Sequence, residues 1–199
     1  KQKYRYSPEQ IISHSFFMQH TEEFYDFYKN KMIFLDAKPN KAHLKLAEME
    51  QAGKLSAIVT QNIDGLHQAA GSKNVFELHG SVHRNYCQKC GKFFDVNYVV
   101  NAKGVPYCDE CGGIIKPDVV LYEEGLDSQT INGAVRAISK ADMLIIGGTS
   151  LVVYPAAGMI DYFKGKYLAV LNRDATSRDK QADLCITDPI GEVLGRIRV

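Results

Sequence analysis

Two groups of residues in this sequence have the types and spacing to do chemistry. The first is a set of four cysteines, Cys87-x2-Cys90 and Cys108-x2-Cys111, with seventeen residues between the pairs. Two residues between cysteines let both sulfurs of a knuckle reach one tetrahedral ion at about 2.3 Å, so the pattern predicts a four-thiolate zinc site. Gly91 and Gly112 follow the second cysteine of each pair, where a tight turn needs positive φ. Four thiolates fill the coordination shell, which makes the ion structural rather than a Lewis acid. The competing reading is two disulfides in a secreted domain, and Lys1–Tyr6 does not look like a signal peptide. The fifth cysteine, Cys185, lies in an apolar run and reads as a small core residue.

The second group begins with Thr60-Gln61-Asn62-Ile63-Asp64-Gly65-Leu66-His67. Gln61 and Asn62 offer donors and acceptors suited to an amide or a ribose hydroxyl, and Asp64 offers a carboxylate. A helix N-cap by Asn62 or Asp64 is the plainer alternative. Glu77-Leu78-His79-Gly80 ends another apolar run. A histidine there can act as general base, since the residue type titrates near neutrality, although a single histidine is more often a structural hydrogen-bonder. Gly147-Gly148-Thr149-Ser150 joins backbone that allows close approach to hydroxyls able to hold a phosphate or ribose. Asn172 could bond a ribose or serve as a turn residue. His67 could pack locally, and His14, His20, His43 and His83 have no supporting context.

These groups need elements to position them. Ser7-Pro8-Glu9 reads as a helix start, Thr21 to Lys31 as an amphipathic helix, and Asn40 as the cap of a helix that stops at Gly53. Strand candidates are Leu55–Thr60, Val75–Leu78, Asp118–Tyr122, Met143–Ile146, Tyr167–Leu171 and Asp183–Ile186. Asp127 or Ser128 can cap a helix through Lys140. Val153–Phe163 and Ile190–Ile197 read as helical. Strands alternating with helices predict an α/β fold with a parallel sheet and helices on both faces, interrupted by a polar module over 81–117. In such sheets ligands bind at the carboxyl ends of strands, which selects the loops 61–67, 147–155 and 172–174.

The 199 residues amount to one full domain, or one domain carrying a small insertion. Hydrophobic residues are 45% and charged residues 24%, ordinary globular usage that argues against disorder. A net charge of +1 leaves no basic footprint, so specific nucleic-acid binding is not expected. No apolar run approaches the ~18 residues that a membrane span needs.

The motifs T-Q-N-I-D-G-L-H at 60–67, E-L-H-G at 77–80, the two cysteine knuckles, K-P-D-V-V at 116–120, G-T-S-L-V-V-Y-P at 148–155 and Leu171-Asn172 together resemble the sirtuins, in order and spacing. The resemblance spans essentially the whole chain and is nearest the compact bacterial type. It implies a Rossmann-like NAD-binding domain over 1–80 and 118–199 and a zinc-ribbon module over 81–117. It implies an NAD-dependent protein-lysine deacylase that yields free lysine, nicotinamide and O-acyl-ADP-ribose. His79 would be the catalytic base toward a ribose hydroxyl of NAD, and Asn62 would place a water or the ribose. Gln61 would contact the ribose, and Ile63 and Asp64 would line the nicotinamide pocket. Gly148, Thr149, Ser150 and Asn172 would hold the adenosine half, and Asp188 the adenine. Val120, Leu121 and Tyr122 would form the acyl-lysine tunnel, with Val152, Val153 and Tyr154 pairing from the other side. The expected partners are an acylated-lysine protein and NAD, with no membrane, in the cytoplasm.

Two departures accompany the resemblance. The family's glycine-rich G-A-G-x-S loop and the following Phe-Arg loop have no counterpart in these residues, as though Lys1 begins inside or just after the second. Tyr122-Glu123-Glu124 stands where the family often has Phe-Gly-Glu, which adds charge beside the peptide. Mono-ADP-ribosyl transfer in the same pocket, and a non-catalytic zinc-ribbon scaffold, are the alternatives. The scaffold has no need of Gln61–Asp64 and His79.

Overall fold

The helix starts follow the capping chemistry. Ser7 accepts from the Gln10 amide while Gln10 bonds back to the Ser7 backbone, with Pro8 opening the first turn. Asn40 and His43 form the same reciprocal box, and Asp127 rather than Ser128 caps the helix through Lys140. The computed structural model describes residues 4–199, so part of the Lys1–Tyr6 segment lies outside the described residues. In chain order the elements are α1 (Pro8–Ile11), α2 (His14–Gln19), α3 (Thr21–Lys31), α4 (Lys41–Gln51), β1 (Ile58–Thr60), α5 (Leu66–Ala69), β2 (Val75–Glu77), β3 (Gly80–Cys87), β4 (Phe93–Phe94), α6 (Val96–Asn101), β5 (Ile115–Val119), α7 (Ser128–Lys140), β6 (Met143–Gly147), a 3-10 segment (Ala156–Tyr162), β7 (Tyr167–Leu171), a 3-10 turn (Asp179–Gln181), β8 (Leu184–Ile186) and α8 (Ile190–Gly195).

The chain divides into two units. One comprises residues 38–61, 66–78 and 127–199 and contains only parallel strands. β1 pairs with β2, and β7 lies between β6 and β8. Alternation along the strands serves both faces. Ile146, Leu168 and Val170 pack with Leu151 and Ala157 on one face. Ile145, Leu171 and Ile186 pack with Ala42 of α4 and Leu194 of α8 on the other. In this unit the structure differs from expectation in the type of one helix and the burial of one cysteine. Val153–Phe163 is not an α-helix; only Ala156–Tyr162 coils, as 3-10 turns. Cys185 is exposed, not core, because β8 is a short edge strand, with Leu184 exposed beside it.

Among the described residues, the other unit comprises 4–37, 62–65 and 79–126. Its core is aromatic: Phe16, Phe17, Phe24, Tyr25, Phe27 and Tyr28 from α2 and α3 pack with Val82, Phe94, Val99 and Ile115. This unit takes in α1–α3 as well as the 81–117 segment, and that segment carries a helix, α6, which its polar composition hides. The strand expected at Asp118–Tyr122 lies at Ile115–Val119 and runs antiparallel to β3 rather than joining a parallel ladder. Periodicity could not reveal this, because a short apolar run carries no information about its partner.

Candidate functional site

The four cysteines come together. No disulfide links them, and their sulfurs lie within 4.8 Å of one another. Cys87 and Cys111 sulfurs are 3.4 Å apart and Cys90 and Cys108 sulfurs 3.7 Å apart. A disulfide would need about 2.05 Å, and sulfurs around a tetrahedral zinc ion stand about 3.8 Å apart. The donor set therefore fits zinc. The knuckle turns supply the rest: Gly91 and Gly112 take φ of +75° and +67°, and their amides donate to the Cys87 and Cys108 carbonyls. The Cys90 amide, aided by that of Lys89, outweighs burial and draws the Cys87 thiol down to about 6. Cys90 and Cys111 move the other way: each has an amide that favours its thiolate, but the neighbouring sulfurs oppose further negative charge. A divalent cation removes that conflict.

Near this cluster in sequence, β3 begins at Gly80, directly after His79. The Val120 amide donates to the His79 carbonyl at 3.0 Å, so the candidate base and the first residue of the candidate acyl-lysine segment are fastened to each other. His79 and Val120 are half-buried, Leu121 is buried and Tyr122 is exposed. The amides of Val120, Leu121 and Tyr122 donate to His79 O, Glu124 Oε2 and Ile12 O. The Leu121 and Tyr122 carbonyls in turn accept from the amides of Glu124 and His14. Glu123 adopts φ +75°, the conformation a glycine takes freely, and its carboxylate accepts from the Ser15 amide and hydroxyl, each at 2.9 Å. Glu124 is partly buried, which pushes its carboxyl up, but the Leu121 amide, His14 and Lys116 outweigh this and hold it below the usual carboxylate range.

Gly80 permits this layout. Its φ is +74°, and a Cβ there would collide with the Asp118 carbonyl across the β3–β5 ladder. Gly80→Ala is expected to destabilise the protein by about 3 kcal/mol or more, adding left-handed strain to overpacking. The midpoint of urea unfolding measures this, and an unchanged midpoint would contradict the assigned role.

Asn62, Ile63 and Asp64 belong to the same unit as His79. Asn62 is exposed, while Ile63 and Asp64 are half-buried. The Val82 amide donates to the Ile63 carbonyl at 3.0 Å, and His83 Nε2 meets the Asp64 carbonyl at 3.0 Å. His83 therefore has a context that its sequence position did not reveal. In the other unit, hydrogen bonds join Gln61 and the ends of β6, β7 and β8. Gln61 Nε2 donates to Thr149 Oγ1 at 3.4 Å, linking the loop after β1 to the loop after β6. The Gly148 amide donates to Leu171 O and the Asn172 amide to Ile186 O, tying the ends of β6, β7 and β8 together. Asn172 also caps its own turn through Asp174 O at 2.8 Å. Gly148 has φ +62° and open space where a Cβ would stand. Ser150, Val152, Val153, Tyr154 and Asp188 are all exposed. His67 sits on α5, with its ring 4.8 Å from that of His43.

Parallel strands with helices and a four-cysteine cluster define the class of chain to which comparison can be made. The Sir2 family model matches residues 1–155. The chain belongs to the Sir2 family. It is 64% identical to an NAD-dependent protein deacetylase of Clostridium acetobutylicum, over 98% of this chain and 80% of that protein. It resembles a solved Sir2 complex with p53 peptide and NAD+ (TM-score 0.88, 39% identity, 98% of this chain and 84% of that one). A Sir2 variant solved with deacetylated p53 peptide and 3'-O-acetyl-ADP-ribose is similar too (TM-score 0.88, 39% identity, 96% and 80%).

Proposed function

We propose that this chain is an NAD-dependent protein-lysine deacylase, in the first place a deacetylase, with NAD as co-substrate and a structural zinc ion. The observation that carries the reading is the bond from the Val120 amide to the His79 carbonyl, which sets a candidate general base beside a candidate acyl-lysine segment. Membership of the Sir2 family and the deacetylase named above support it.

His79 accepts the proton of a ribose hydroxyl as that hydroxyl becomes a nucleophile, and Asn62 orients the ribose or a water. Gln61 contacts the ribose, already steered by its bond to Thr149. Ile63 and Asp64 line the nicotinamide pocket. Gly148, Thr149, Ser150 and Asn172 hold the adenosine half, with Asp188 at the adenine. Val120, Leu121 and Tyr122 enclose the acyl-lysine, and Val152, Val153 and Tyr154 pair with the peptide. The acyl oxygen bonds to the ribose carbon as the bond to nicotinamide breaks. The ribose hydroxyl that gave its proton to His79 then attacks the acyl carbon, the carbon–nitrogen bond breaks as the lysine amine takes a proton, and one water adds to the acyl carbon, so that the acyl group stays on ADP-ribose as an ester and the reaction is a group transfer. When bound, zinc supplies a cross-link between the two knuckles of the 81–117 module, and residues 1–80 and 118–199 serve NAD.

The partners are acylated-lysine proteins, with no role for nucleic acid or membrane; no helix among the described residues is long and apolar enough to span one. Free thiols in the cysteine cluster favour a cytoplasmic location. The test is an acetyl-lysine peptide incubated with the protein, with and without NAD. Loss of the acetyl group only with NAD is the expected result, and loss without NAD, or none with it, contradicts the proposal.

Val120→Asp places an unpaired charge where the acyl chain packs, and is expected to weaken peptide binding ten- to hundredfold, about 1–3 kcal/mol. Fluorescence anisotropy of a labelled acetyl-lysine peptide measures it, and unchanged affinity would remove Val120 from the tunnel.

A further inference from the structure

We propose that His83 is a positioning residue for NAD: it braces the Asn62–Gly65 turn, the segment whose side chains would meet the nicotinamide end of the co-substrate. The inference rests on that reading of the turn. Two independent contacts join His83 to it. His83 Nε2 lies 3.0 Å from the Asp64 carbonyl, so the ring donates its Nε2–H to that oxygen. The imidazole also lies against Gly65, where a Cβ would stand 2.8 Å from His83 Cδ2 and 3.0 Å from Nε2. With the Val82 amide donating to the Ile63 carbonyl at 3.0 Å, consecutive residues of β3 hold consecutive carbonyls of the turn.

The arrangement has a physical purpose. Gly65 sits at φ +70° and Asn62 is exposed, so the two backbone carbonyls held from β3 set the path of the chain through the turn. A turn that must order when NAD arrives opposes binding by the entropy of that ordering, and a brace formed beforehand removes the cost. β3 is a suitable anchor. It is paired on both edges, by β4 and β5, and carries Cys87 of the metal cluster at its far end. His83 touches no substrate in this scheme and acts only through the turn.

The test uses the full chain, with zinc bound, as His83→Ala, His83→Gln and Asn62→Ala. Loss of one hydrogen bond is expected to raise the KM for NAD about three- to tenfold in His83→Ala. The kcat should stay within about twofold, and the KM for acetyl-peptide and the melting temperature should not change. A glutamine amide can donate to the Asp64 carbonyl, so His83→Gln should recover most of the NAD affinity, which a packing role alone would not produce. Hydrogen exchange without NAD should quicken at the amides of 63–66 in His83→Ala and slow again in His83→Gln. Unchanged exchange in His83→Ala overturns the brace outright. If Asn62→Ala raises the KM for NAD and His83→Ala does not, the proposal fails while the reading of the turn stands. If neither variant changes it, the reading of the turn fails and the proposal with it.

Discussion

Replacing His79 by alanine is expected to lower the deacetylation rate by about 10²–10⁴-fold, the usual contribution of one general base. The position carries the expectation. His79 follows β2, its carbonyl is fixed by the Val120 amide, and Gly80 immediately after it lets β3 pass close to β5. His79 as a residue is half-buried. Steady-state rates at saturating NAD and acetyl-peptide measure the effect. Thermal unfolding and NAD titration of the same variant should stay close to the parent, since the ring is not a member of the buried core. His67→Ala provides the comparison, because His67 lies on α5 against His43 and is given no part in proton transfer. It should keep its rate within about threefold. Parental activity in His79→Ala would make His79 structural and end the proposed mechanism.

The second large effect is expected at the metal. Zinc bound by four thiolates contributes on the order of 10 kcal/mol to folding a small module. Cys87→Ser removes a buried ligand whose sulfur accepts from the amides of Lys89 and Cys90. The variant is expected to release its zinc to a colorimetric chelator and to melt about 10 °C or more below the parent, given roughly 2–4 °C for each kcal/mol in a chain of this size. The metal-bearing end of β3 shares a core with α2 and α3: Cys87 and Cys108 pack in the same cluster as Phe94, Val105 and Ile115, and the Tyr25 hydroxyl bonds the Ile115 carbonyl. Loss of the ion should therefore be felt through the aromatic core. Zinc loss with an unchanged melting temperature would show that the ion does not hold the fold.

What could be read from the residues was what local chemistry dictates. The α3 bounds at Thr21 and Lys31, the Ser7 and Asn40 caps, β7 over Tyr167–Leu171 and the positive φ at Gly91 and Gly112 all follow from side chains within a few positions of one another. The cysteine cluster was legible for the same reason, because spacing within each knuckle states the geometry. Features that depend on distant partners were not. The antiparallel pairing of β5 with β3 needs residues 80–87 to meet 115–119. β3 itself does not alternate cleanly, because a register shift separates Ser81 from Asn85. Cys185 looks like core in an apolar run, but the run forms an edge strand. His83 looked unsupported because its partner is a backbone carbonyl nineteen residues away, and no residue type announces a carbonyl. The link from Gln61 to Thr149 crosses 88 residues and was legible only as a rule about strand ends.

The most direct test of the account is the fate of the acyl group. The protein is incubated with NAD and an acetyl-lysine peptide, and mass spectrometry follows the nucleotide products. The account predicts ADP-ribose carrying the acetyl group, formed in step with free nicotinamide and deacetylated peptide. Acetate with unmodified NAD, or ADP-ribose attached to the peptide while its acetyl group remains, would contradict it.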